Sequence, residues 1–208
     1  MHSRSIRSIV FIALFAALFI VLSEISIKLT ASLVPFTLQT LAVILCGLFL
    51  KPRDAFVSIF IIIVLAAFGL PLFSGQGGIS TLIGYTGGFI AYFPFGALLI
   101  SLFVEKVLGS AAIMRSKTLL AISLFIVFEV CSSLLCYIPG VSWFMYSLHY
   151  DFQKAMTASC YPYLLGDAIK AAFGVIIALS LKPYIVKFRK SNSGTASAAA
   201  ATHSSSIV

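Results

Sequence analysis

Residues 161–181, YPYLLGDAIKAAFGVIIALSL, decide the fold. At about 1.5 Å per helical residue the run can cross the ~30 Å hydrocarbon core of a bilayer. Asp167 and Lys170 are its charged residues, so it reads as a membrane helix carrying an acid and a base. Three positions apart, they share a helical face, one turn from each other. A charge at the bilayer centre costs ~2.5–3.5 kcal/mol on insertion scales, so such groups face a partner or a cavity. Two readings follow: an ion pair that stabilises the bundle, or two groups of a substrate site.

The rest of the chain sets the context. Its 208 residues are 61% hydrophobic and 10% charged, whereas soluble domains carry ~25% charged residues. The expectation is an all-α, polytopic integral membrane bundle over residues 1–190, with lipid as its surroundings. The Ser/Ala-rich segment 191–208 is expected to be a disordered tail. The net charge of +8 comes from basic residues scattered between apolar runs. That is not the basic, aromatic-interleaved face of a nucleic-acid binder. Cys46, Cys131, Cys136 and Cys160 form no CxxC pair and read as buried apolar residues.

Six spans are expected, at about 8–29, 36–50, 55–72, 89–104, 118–138 and 161–181. The first follows a basic head resembling a signal peptide, but no small-residue cleavage site follows, so it reads as a retained helix. Near its end Glu24 and Lys28 stand in the favourable i,i+4 order. Pro35 suits a helix start, and the second span is short for a full crossing. With six spans and both termini cytoplasmic, the inner segments hold Arg4, Arg7, Lys51, Arg53, Lys106, Arg115, Lys117, Lys182, Lys187, Arg189 and Lys190. Lys28 and Lys154 fall outside, which satisfies the positive-inside rule. The location implied is the cytoplasmic membrane.

Enzyme readings find no support. The chain has no GxxxxGK[ST] phosphate loop, and Ser80 breaks a GxGxxG pattern. His2, His149 and His203 lie in a head, a loop and a tail without metal-ligand spacing, and no GxSxG nucleophile appears. No cofactor is implied. The charge-free stretch SGQGGISTLIGYTGG at 74–88 reads either as a flexible outer loop or as backbone lining a wet cavity. On the expected topology it shares the outer side with Phe36 and with the start of the 161–181 span. Those parts converge on an outward-facing pocket for a small amphipathic ligand with an acid end and an amide-like end. Lys170 suits a carboxylate, Asp167 accepts from N–H donors, and Phe36, Tyr85, Tyr137 and Trp143 offer walls. For Glu129 the alternatives are a neutral or paired structural role, ranked first, or a place in the pocket.

Several segments together resemble the BioY family of biotin transporters. They are VPFTLQTLAVILCGLFLKPRDA at 34–55, GLPLFSGQGG at 69–78, GYTGGF at 84–89 and LLGDAIKA at 164–171, with Tyr137, Gly140 and Trp143 in a Tyr-x-x-Gly-x-x-Trp pattern. The family reads approximately VPFTLQTLAVLLAGLLLGPR, GLPVFAGGxGG, GPTGGY and LPGDLLKA there, so Tyr85, Phe89 and Gln76 are departures. The resemblance implies a six-helix, substrate-binding S component of an energy-coupling-factor (ECF) transporter. Such a component binds biotin from outside and docks on a transmembrane coupling protein with two ATPase subunits. The family's acid and lysine fall on Asp167 and Lys170, and the candidate substrate contacts are these two with Thr37, Gln39, Gln76, Gly78, Tyr85 and Tyr137. The lysine would meet the valerate carboxylate and the acid the ureido ring. An AxxxA docking motif falls on Ala13 and Ala17, where small residues four apart permit close helix approach. In an alanine-rich helix the pair is otherwise incidental. A stand-alone facilitator or secondary transporter for a small carboxylate-bearing vitamin is the alternative.

Overall fold

The computed structural model describes residues 6–27 and 34–189. Helix α1 (Ile6–Glu24) is followed by two short antiparallel strands, β1 (Ser26–Ile27) and β2 (Phe36–Thr37). Helices α2 (Gln39–Phe49) and α3 (Pro52–Ala67) come next, then a hairpin at 73–76 and the short α4 (Ile79–Ile83). Helix α5 (Gly87–Gly109) leads through α6 (Ala111–Arg115) to α7 (Lys117–Glu129). A π-helical turn (Val130–Leu134) joins α7 to α8 (Leu135–Leu148). The amphipathic α9 (Phe152–Ser159), a 3₁₀ turn (Tyr161–Tyr163), α10 (Leu164–Ser180) and a helix over 182–189 complete the chain.

Helix α2 is the innermost element. Every residue from Ala42 to Leu48 is buried, the condition under which a helix apolar all round is stable inside protein. Helices α1, α5 and α10 pack around it. Its 11 residues make about 16 Å of helix, roughly half of a ~30 Å hydrocarbon core. The expected span 36–50 is therefore trimmed to 39–49, and the space beyond its N-terminus is open for a cavity. Close packing substitutes for a hydrophobic driving force, which lipid tails do not provide. At Gly174 a Cβ would stand 2.7 Å from Ile44 Cγ2, so α10 and α2 touch because that side chain is absent.

Four helical segments are long and apolar enough to cross a membrane: Ile6–Glu24, Gly87–Gly109, Lys117–Leu148 and Phe152–Ser180. With exposed Val10, Leu14, Phe95, Ile122, Ile126 and Phe173 on their outer faces, they make this a multi-pass helical membrane protein. The expected span 118–138 runs on to Leu148. Pro139 does not end it, because the π-helical turn rewinds the rod just upstream, with the Leu135 amide bonded to Val130 O. The Tyr92 hydroxyl donates to the neighbouring Cys131 carbonyl at 2.9 Å. The glycine-rich 74–88 stretch is partly helical, and α5 begins within it at Gly87.

The end opposite the cavity is tied by Arg189. Its guanidinium donates to the α2 carbonyls of Gly47 (3.1 Å) and Leu48 (2.8 Å), and to Ser101 O and Oγ on α5 (2.9 Å each). Glu105 lies 3.3 Å away. The bonds to Gly47 and Leu48 satisfy carbonyls that the end of α2 leaves without partners. Lys28, the expected partner of Glu24, lies outside the described residues, as do Arg4, Lys190 and the 191–208 tail.

Candidate substrate site

Helix α10 sorts its side chains by face. Leu165, Ile169, Phe173 and Ile176 are exposed, whereas Asp167, Lys170, Ala171, Gly174, Val175 and Ala178 are buried. The helical period thus turns the acid and the base inward. Lys170 Nζ lies 2.9 Å from Asp167 Oδ1, and the residues are 5% and 4% exposed. Thr40, in the first turn of α2, bridges them: its Oγ1 accepts from Lys170 Nζ (3.0 Å) and donates to Asp167 Oδ1 (3.2 Å). The Tyr137 hydroxyl donates to Asp167 Oδ2 at 2.5 Å. Two buried charges are tolerable when both are hydrogen-bonded in this way.

Aromatic rings complete the surroundings of the base. Lys170 Nζ sits 4.0 Å from the Phe36 ring centroid, within cation–π range. Phe36 stacks on Tyr163, with centroids 6.3 Å apart and planes 9° from parallel. The Tyr163 hydroxyl donates to Val34 O, fastening the segment before β2 to the start of α10. Phe36 reaches this place because residue 166 is glycine, where a Cβ would meet the ring at 2.3 Å.

Thr40, Tyr137, Tyr163, Asp167 and Lys170 line a cavity of about 120 Å³, several times the ~10–15 Å³ that one water needs. The structure brings Thr37, Gln39, Gln76, Tyr85, Tyr137, Asp167 and Lys170 together on its wall. Among the described lining residues, Asp167 and Lys170 are the charged ones. The loop at 74–88, the segment around Pro35 and the start of α10 meet there, as the sequence suggested. The acid and the base are at once each other's ion pair and part of the cavity wall.

Three expectations change. Gly78 does not line the cavity; its φ of 85° and its amide bond to Ala66 O (2.7 Å) make it a turn residue. Trp143 faces away from the cavity, where its Nε1 donates to Gly84 O (2.8 Å) beside Gly88 on the outer side of α5. Phe36, expected as a wall, touches Lys170 but does not itself line the cavity. Glu129 lies at the start of the π-helical turn, outside the lining, with its buried Oε2 lacking a hydrogen-bond partner.

The sequence pattern did not assign Thr40 to the site. It missed Ser74, Thr86, Phe89, Ser133, Cys136 and Ser159 as lining residues. The spacing of Ser133 and Tyr137, one helical turn apart, was the signal available for the former. Ala13 and Ala17 both lie on the exposed face of α1.

The chain has clear relatives. It is 35% identical to the probable biotin transporter BioY of Bacillus subtilis over 172 residues, covering 82% of this chain and 87% of that protein. It is 34% identical to the biotin transporter BioY2 of Lactococcus lactis over 182 residues, covering 87% and 93%. Its fold matches the 2.1 Å crystal structure of the S-component for biotin from an ECF-type ABC transporter. That match has a TM-score of 0.76 and 24% identity, and covers 86% of this chain and 92% of that one. The profile of the BioY family itself matches residues 1–187, which include every wall of the cavity, and the chain belongs to that family.

Proposed function

We propose that this chain takes up biotin across the cytoplasmic membrane as the substrate-specific S component of an ECF transporter. The family match over residues 1–187 carries this reading, and the named relatives and the shared fold agree with it. The chain moves a vitamin rather than converting one, biotin being cargo and no cofactor being called for.

The cavity supports a specific binding chemistry. A ureido edge offers N–H donors beside a carbonyl acceptor. Asp167 and Lys170, 2.9 Å apart, offer an acceptor beside a donor. Both therefore address the ureido head, with Thr40 and Tyr137 holding them in register. The valerate arm then extends toward the polar wall of Thr37, Gln39 and Gln76, and Tyr85 and Phe89 flank the ring system. The polar wall supplies neutral hydrogen-bond donors for the carboxylate.

The chain crosses six times with both termini cytoplasmic, α2 and α3 being short crossings flanked by the longer ones. The exposed small-residue stripe at Ala13 and Ala17 is the docking face for the transmembrane coupling protein, which brings two ATPase subunits.

Equilibrium binding of labelled biotin to the chain in nanodiscs tests the reading; absence of saturable binding overturns it. Two analogues test the orientation. Biotin amide, without the carboxylate charge, is expected to bind within a few-fold of biotin. Iminobiotin, whose protonated guanidine places a cation against Lys170, is expected to bind far more weakly. The reverse order would return Lys170 to the carboxylate. Uptake into liposomes by the chain alone, abolished when the proton gradient is dissipated, would instead mark a stand-alone transporter.

A further inference from the structure

Ser23, next to the last residue of α1, is fully buried and is not part of the cavity wall. Its Oγ accepts two hydrogen bonds, from Gln39 Nε2 (2.7 Å) and from the Ser74 backbone N–H (3.0 Å). Its carbonyl accepts a third from Ser74 Oγ (2.8 Å). Gln39 and Ser74 both line the cavity and come from different elements, one from the start of α2 and one from the hairpin after α3.

The hairpin depends on this support. Phe73 and Gln76 exchange two backbone bonds of 3.0 Å each around a two-residue turn. Ser74 and Gly75 have φ of 52° and 73°. Such a turn needs positive φ at both central positions, for which Asn-Gly is the usual choice. Gly75 adopts it freely, but Ser74 is a side-chain-bearing residue in the left-handed region. Its two bonds to Ser23 hold it there.

The same end of α1 grips the neighbours of Ser74. Phe19 packs edge-on against Phe73 with centroids 5.9 Å apart, and Glu24 Oε1 accepts from the Gly75 amide at 3.0 Å. A hydroxyl has two acceptor lone pairs, the number that Gln39 and Ser74 use; alanine has none and would leave two donors without partners.

We infer that Ser23 is a positioning residue for the substrate site. It fixes Gln39 and the 73–76 hairpin as two walls of one cavity, and so sets how long bound ligand stays. The part concerning biotin rests on the function proposed above; the clasp itself does not.

The experiment is Ser23→Ala in the full chain in nanodiscs, read by amide hydrogen exchange and by dissociation of labelled biotin. Without ligand, the Ser74 and Gly75 amides should exchange about tenfold faster, as expected for the loss of one to two hydrogen bonds, while α10 amides keep wild-type protection. Dissociation of biotin should accelerate by a similar factor. Wild-type exchange at Ser74 and Gly75, or faster exchange with an unchanged dissociation rate, overturns the inference. If Ser23→Ala does not fold, Glu24→Ala, at an exposed position, decides instead. It should loosen Gly75 and speed dissociation a few-fold (roughly one hydrogen bond), and no change in either overturns the clasp. Failure of the wild-type chain to bind biotin would sink the functional reading, while exchange at Ser74 and Gly75 would still decide the role of Ser23.

Discussion

At the residue scale, the site is a network in which each member's charge or hydroxyl is satisfied by another. Asp167 accepts from Lys170, Thr40 and Tyr137, which span three helices. Removing one partner of a buried ion pair leaves an uncompensated charge, at a cost of ~3–5 kcal/mol. Lys170→Ala should therefore lower the thermal midpoint in detergent and weaken biotin binding by about 100-fold or more; retention of both would show that the pair is dispensable. Tyr137→Phe removes only the 2.5 Å bond to Asp167 Oδ2. A bond to a charged group contributes ~1.5–3 kcal/mol, so calorimetry should find affinity reduced by roughly ten- to hundredfold, with the fold intact. Gly166→Ala tests the aromatic ring beside Lys170: the added Cβ falls 2.3 Å from Phe36. Overpacking of this kind costs ~1–3 kcal/mol, and it should displace the ring from Lys170 and weaken binding without touching any polar group. A titration with labelled biotin checks it.

At the element scale, the short α2 explains how the bundle holds a cavity and stays closed at its other end. Its N-terminal turn supplies Gln39 and Thr40 to the cavity, and its last carbonyls receive Arg189. The guanidinium spans α2 and α5 because its planar fork presents several donors at once, which a lysine ammonium does not reproduce. Arg189→Lys should therefore destabilise nearly as much as Arg189→Ala, by ~1–3 kcal/mol for the unmet carbonyls. Biotin affinity at the far end should change little; thermal unfolding paired with a binding titration separates the two effects. The π-helical turn has a comparable role in the α7–α8 rod. Its wider winding precedes Pro139 and sets the phase at which Ser133, Cys136 and Tyr137 meet the cavity.

At the scale of the whole molecule, the cavity lies at the end of the bundle where the chain departs from helix. There the 73–76 hairpin, the β1–β2 pair and the Tyr161–Tyr163 turn gather. Backbone of this kind survives at membrane depth where it is buried or lines a cavity. The topology proposed above places this end outside and the Arg189 end inside. Lys117 and Lys154 are both exposed, on either side of the Lys117–Leu148 rod. A membrane-impermeant thiol reagent should label Lys154→Cys on intact cells and Lys117→Cys after permeabilisation. Labelling of both from one side would break the six-span scheme. The native Cys46, Cys131, Cys136 and Cys160 are buried and should stay silent.

The amino-acid sequence by itself determined that the chain is a membrane helix bundle, which face of α10 turns inward, and which segments gather at one end. Each of these follows from local quantities: apolar length, a 3.6-residue period, and the punctuation of proline and glycine. Charge, spacing and family motifs together brought seven wall residues into view before any geometry. Tertiary structure decided the rest. Thr40 and Lys170 lie 130 positions apart in the chain, and no period links them. The 2.9 Å between Asp167 and Lys170 depends on rotamers chosen by neighbours on other helices. Trp143 and Tyr137 sit on one helical rod yet meet different partners, Tyr137 the cavity and Asp167, Trp143 the carbonyl of Gly84. Ser23 carries no motif at all. Its role exists because α1, α2 and the 73–76 hairpin converge on one hydroxyl, a coincidence in space that the order of residues does not record.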